Sequence, residues 1–241
     1  MQTKILKLTA IILIFTSFYV TAQEKTVWDY PIKPGTEAWR ALLTRDEMLK
    51  VSQIPDEILK TMTTKDLVVS CINFPLRADF FAHNNMLSGV KRIAAEFNGL
   101  QELFARKDNV QCLLDLLQSK DLESLPNQNL TSLERGKFAM EVSLTEALLA
   151  HEPVFANTDV EQQKLIASIV IQNIAIKQRH VTIYSRASVE CSAYLLCANL
   201  KRLKYGNDLS LDMELFLRTG SLPNPELIEE LISETLKYIR Q

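Results

Sequence analysis

Three histidines, at positions 83, 151 and 180, are the first candidates for metal binding or proton transfer. No His-x-x-x-His, Glu-x-x-His or His-Glu-x-x-His spacing occurs, so no helix offers two ligands on one face. By the expected boundaries each histidine ends a helix, where the dipole favours a cation. That structural role is the stronger reading, and no metal is expected. The four cysteines, at 71, 112, 191 and 197, form no catalytic motif. Each sits in an apolar run, where a free thiol behaves as a small core hydrophobe. Cys191 and Cys197 on one straight helix lie roughly 9 Å apart along its axis, beyond the reach of a disulfide. Pairing of Cys71 with Cys112, or cross-pairing, stays open beside the free-thiol reading.

Glu123 and Glu141 stand next to apolar residues, a setting that raises a carboxyl pKa toward general-acid use. A pair of such acids is what glycan hydrolysis requires. Carboxylates on helix faces are more often solvated, so no catalytic residue is assigned. No Gly-x-Ser-x-Gly elbow is present, and the 6 glycines are too dispersed for a phosphate-cradling loop. No cofactor is expected. The most distinctive stretch is 24–36, EKTVWDYPIKPGT. Its two prolines favour an extended path. Its aromatics either tie the segment onto the helices, the commoner outcome, or offer a docking strip. Trp28, Tyr30 and Trp39 are the candidate contacts for a protein or peptide partner.

The elements that must position these residues read as helix after helix. Thr44-Arg45-Asp46-Glu47, Thr131-Ser132-Leu133-Glu134 and Thr158-Asp159-Val160-Glu161 have capping-box spacing. Pro55 and Asn224-Pro225 mark further starts. The pattern predicts helices over 37–43, 45–51, 56–62, 65–73, 76–84, 88–97, 99–106, 109–118, 131–151, 159–179, 187–203, 211–218 and 225–239. Val181-Thr182-Ile183-Tyr184 is the one modest strand candidate. Apolar residues cover most of 159–179 and 187–203, which places both helices centrally. Gly136 is expected to let another helix cross closely. Nothing between the helices is long enough to be a linker. The expected fold is therefore all-α, a single domain over 24–241, built as an irregular, solenoid-like stack of antiparallel helices.

The 27 basic and 29 acidic residues nearly cancel, which leaves no basic footprint for nucleic acid. Residues 1–22 read as a signal peptide. Lys4 and Lys7 precede the apolar run 8–20, and Ala22 supplies a small residue for cleavage. No cysteine follows the cut to carry a lipid. Cleavage removes two lysines and no acid, so 27 bases become 25 against 29 acids. No later run is long enough to span a membrane.

The stretch Asp29-Tyr30-Pro31-Ile32-Lys33-Pro34-Gly35-Thr36-Glu37-Ala38-Trp39 resembles the opening of an uncharacterised family of exported helical bacterial proteins. Gln53-Ile54-Pro55-Asp56-Glu57-Ile58-Leu59 and Phe97-Asn98-Gly99-Leu100-Gln101-Glu102-Leu103 are similar to it as well. The resemblance spans roughly residues 28–120. It implies export, to the periplasm or beyond, and an all-α fold. It supplies no activity and no catalytic residue. The sequence thus leads to a non-enzymatic exported module that binds a protein or peptide in a helical groove. An exported carboxylate-dependent glycan hydrolase is one alternative. A binder of a small apolar ligand between 159–179 and 187–203 is the other, and needs a cavity of roughly 300 Å³ there.

Overall fold

The computed structural model describes residues 27–83, 85–204 and 209–240. The expected signal peptide lies outside them. The chain runs α1 (Glu37–Arg40), α2 (Arg45–Val51), α3 (Asp56–Thr61), α4 (Thr64–Ile72) and a 3-10 turn (Arg77–Phe81). It continues through α5 (Met86–Glu96), α6 (Asn98–Ala105), α7 (Asn109–Gln118) and a second 3-10 turn (Leu125–Asn127). The remaining helices are α8 (Ser132–Leu149), α9 (Glu152–Phe155), α10 (Val160–Arg179), α11 (Val181–Leu203), α12 (Leu211–Thr219) and α13 (Leu227–Ile239). No strand occurs among the described residues, and the helices pack as a single domain.

The starts follow from local chemistry. Thr44 and Glu47 form a reciprocal capping box at α2, and Thr131 and Glu134 form one at α8. At α10 the cap falls one residue later than the sequence pattern predicts. Asp159 accepts from the Gln162 amide at 2.7 Å, while the Thr158 hydroxyl donates back to Phe155 O. Each such cap contributes about 1 kcal/mol. Asn224 accepts from the Leu227 amide, as Asn224-Pro225 suggests.

Helices α10 and α11 form the central hairpin. Asn199 reaches Gln163 near the start of α10, and Ser188 reaches Lys177 near its end, so the two run antiparallel. Ile166, Val170 and Ile174 meet a core completed by Leu195, Leu196 and Leu200, all fully buried. Helices α8 and α13 pack on α11, and α4 to α7 extend the stack through α7 and α8.

The strand candidate is corrected: Val181–Tyr184 is helical. Tyr184 is buried and donates to Leu122 O at 2.7 Å, so tertiary anchoring overrides β-propensity. That turn joins the rest of α11 through Ser185, whose φ of 64° and ψ of 158° fall in a region suited to glycine. The expected helix over 76–84 shortens to the 3-10 turn at Arg77–Phe81. Gly136 is corrected as well. A Cβ there would meet nothing within 4 Å, so no helix crosses closely. The close approach is at Gly89, where a Cβ would lie 2.1 Å from Phe80 O.

Beneath this packing sits a buried ion pair. Glu146 on α8 and Lys177 on α10 are both 0% exposed, with Nζ 2.6 Å from Oε2. Ser192 donates to the same oxygen at 2.8 Å, and Asn173 donates to Oε1 at 3.0 Å. Lys177 also donates to Ser192 Oγ and Ser188 O. A charge pair survives such burial only when its other hydrogen bonds are made, as here.

Candidate functional site

A cleft of about 690 Å³ opens between α5, α9, α12 and the C-terminal half of α11. One face of α11 builds its floor, where Tyr194, Ala198 and Lys201 recur at helical spacing. The short helix α9, with Pro153 in its first turn, carries Glu152 and Phe155 on a second wall. Helix α5 contributes Ser88 and Lys91, and α12 contributes Leu217 and Arg218.

The charge in this cleft is one-sided. Lys91, Lys201, Arg202 and Arg218 line it, against a single carboxylate, Glu152. Arg202 pairs with Glu152 at 3.0 Å and lies 5.1 Å over the Phe155 ring. Lys91, Lys201 and Arg218 have no ion-pair partner among the described residues. A concave surface with unpaired charge of one sign concentrates ligands of the opposite sign. His151 also lines the cleft and is only 9% exposed. Its ring stacks on Phe104 with centroids 4.5 Å apart. Its nitrogens take no hydrogen bond among the described residues. Burial, and then the nearby Lys91 ammonium, hold its pKa below the ordinary imidazole value. It is therefore neutral near pH 7.

The partition on the other side of the cleft is fixed in place. Asn85 caps α5 by accepting from Ser88 N, and its amide donates to Thr219 O at 2.6 Å. Gly220 ends α12 at φ 71°, and a Cβ there would lie 2.5 Å from Asn85 Cγ. Tyr194 donates to Leu217 O at 3.0 Å and meets Phe216 edge-on. Beyond this partition lies a second pocket of about 190 Å³, lined mainly by apolar side chains.

The residues singled out from sequence lie elsewhere. Tyr30 is 2% exposed, donates to Ser70 O at 3.0 Å and meets Phe74 edge-on. Trp28 N donates to Ser70 Oγ at 2.9 Å, and the Trp28 and Trp39 rings are half-buried against the core. The aromatic strip therefore ties the segment onto α4, and only Trp28 and Trp39 keep ring surface outward. Glu123 borders a shallow depression of about 340 Å³ and pairs with Arg179 at 2.6 Å. Glu141 pairs with Lys120 at 2.8 Å. Each carboxylate already faces a cation. All four cysteines are free thiols. Burial raises Cys71 and Cys191, and pushes Cys197 up to about 12, which leaves these three unreactive. His83 is exposed beyond the first 3-10 turn, and His180 caps the end of α10. The three histidines are not brought together, and no metal-ligating cluster occurs among the described residues.

Sequence reasoning missed Lys91, Lys201 and Arg218, because single exposed cations look like any solvated face. The one available signal was on α11, where Tyr194, Ala198 and Lys201 fall on one face at helical spacing. No helix among the described residues is long and apolar enough to cross a membrane. Compared with known proteins, the chain matches no family model, no curated protein and no solved structure.

Proposed function

We propose that this chain is an exported, non-enzymatic module that holds a segment of a protein or peptide partner in the cleft between α5, α9, α11 and α12. The observation that carries the reading is the set of three cations, Lys91, Lys201 and Arg218, without an ion-pair partner among the described residues, around an open space of about 690 Å³. A chain with a formal net charge of −2 gains nothing structural from gathering unpaired cations in one concavity. Export rests on the basic start, apolar run and small residue within 1–22. Tyr30 being enclosed by its own fold supports binding at the cleft over binding along the aromatic strip.

The test is selection from a random peptide library on the folded protein, followed by amide exchange with and without a selected peptide. The expected outcome is enrichment of acidic peptides that slow exchange in α5, α11 and α12. Selection of no peptide, or protection confined to α1–α4, overturns the reading.

A further inference from the structure

The second pocket gives the occupant more definition. It lies beside the cleft and shares Asn85, Leu87, Ala150, Tyr194 and Gly220 with it. Ala147, Ala150 and Ala187 are small residues that leave it open, and Phe81, 39% exposed, stands at its side. Its space of about 190 Å³ suits one large apolar group. An apolar cavity of roughly 150 Å³ already accepts a benzene ring. It is too small for a long acyl chain. Glu190 also lines it, which turns an anion away from this side and toward Lys91, Lys201 and Arg218. The lysine and arginine charges and the apolar space thus lie on opposite sides of the Tyr194–Asn85–Gly220 partition. The partition is held by hydrogen bonds and by a glycine with no room for a Cβ.

Resting on the peptide-binding reading above, we infer that the occupant is an acidic peptide segment with one bulky apolar side chain beside its carboxylates. The carboxylates sit among Lys91, Lys201 and Arg218, and the side chain, of phenylalanine size, enters the pocket over Ala187. The Ser88 hydroxyl and Gln163 Oε1 lie along the same cleft without hydrogen-bond partners among the described residues, and serve the peptide backbone.

The test uses three blocked pentapeptides, Asp-Glu-Phe-Glu-Asp, Asp-Glu-Ala-Glu-Asp and Lys-Lys-Phe-Lys-Lys, and phenylacetate, titrated calorimetrically into the full protein. The phenylalanine peptide is expected to bind at least roughly tenfold tighter than the alanine peptide, as burial of one aromatic side chain allows. The basic peptide is expected not to bind. Ala187→Phe fills the pocket from an exposed position and is expected to erase the difference between the acidic peptides while both still bind. Equal affinity of the two acidic peptides for the unmodified protein overturns this inference and leaves the cleft reading standing, whether or not the variant folds. Binding of neither acidic peptide overturns both. Phenylacetate binding as tightly as the phenylalanine peptide also overturns both, because it assigns the cleft to a small acid.

Discussion

Replacing Lys177 by methionine strands a carboxylate in the middle of the fold. Lys177 and Glu146 are both 0% exposed, and Nζ lies 2.6 Å from Oε2. All three ammonium protons are used, by Glu146, Ser192 Oγ and Ser188 O. Removing one partner of a buried pair costs about 3–5 kcal/mol, because the remaining charge has no water to turn to. Asn173 and Ser192 continue to donate to Glu146, which puts the expected loss near the lower end, about 3 kcal/mol. In a chain of this size that lowers Tm by roughly 6–12 °C. The double variant Glu146→Met/Lys177→Met keeps the volume and removes both charges. Its expected loss is smaller, about 1 kcal/mol. Circular-dichroism melts and urea titrations read both quantities. A loss under about 1 kcal/mol for Lys177→Met, or a double variant worse than the single, refutes the picture of a dry, fully paired interior.

Ser185→Gly is expected to stabilise the protein by about 1 kcal/mol, since glycine adopts φ 64° without the strain that serine carries. A melt that shifts down instead refutes the strained-joint reading of α11. Gly89→Ala is expected to cost at least about 2 kcal/mol, because the new methyl meets backbone at 2.1 Å and not a movable side chain; urea titration checks it. His151 gives a pH dependence. Its folded pKa is depressed, so its contribution to stability is complete above the ordinary value of 6.5 and is lost as pH falls through the folded value. Tm is expected to drop from pH 7 to pH 5, and His151→Gln is expected to flatten part of that decline. A carboxylate bound in the cleft, like Glu152 already there, opposes the push of the Lys91 ammonium on His151. Peptide binding is then expected to take up a proton and tighten over the same interval, which calorimetry in two buffers of different ionisation heat measures.

Helix starts were legible because their causes are local. Thr44 with Glu47, and Thr131 with Glu134, declare a cap within four residues, and α2 and α7 begin and end where the pattern places them. The apolar stripes of α10 and α11 announced the central hairpin. What depends on distant segments was not legible. Glu146 looks like any other helical glutamate until α10 and α11 close over it. Gly136 and Gly89 are equivalent in sequence, yet only Gly89 meets another backbone, that of Phe80. The cleft is assembled from α5, α9, α11 and α12, and no local pattern reports that Lys91, Lys201 and Arg218 will face one space. The aromatic strip read two ways, because Trp28 and Tyr30 suit a docking surface and the anchoring of a chain segment equally; their bonds to Ser70 give them the anchoring role.

In the function proposed above, Lys91, Lys201 and Arg218 of the cleft hold an acidic peptide. The most direct measurement is the affinity of Asp-Glu-Phe-Glu-Asp for the unmodified protein and for Lys91→Glu/Arg218→Glu, whose changes lie on exposed positions of two different helices. The expected result is an affinity at least roughly tenfold weaker in the variant, with an unchanged melting curve, and weaker binding to the unmodified protein as salt rises. Equal affinity for both proteins, insensitive to salt, would contradict it.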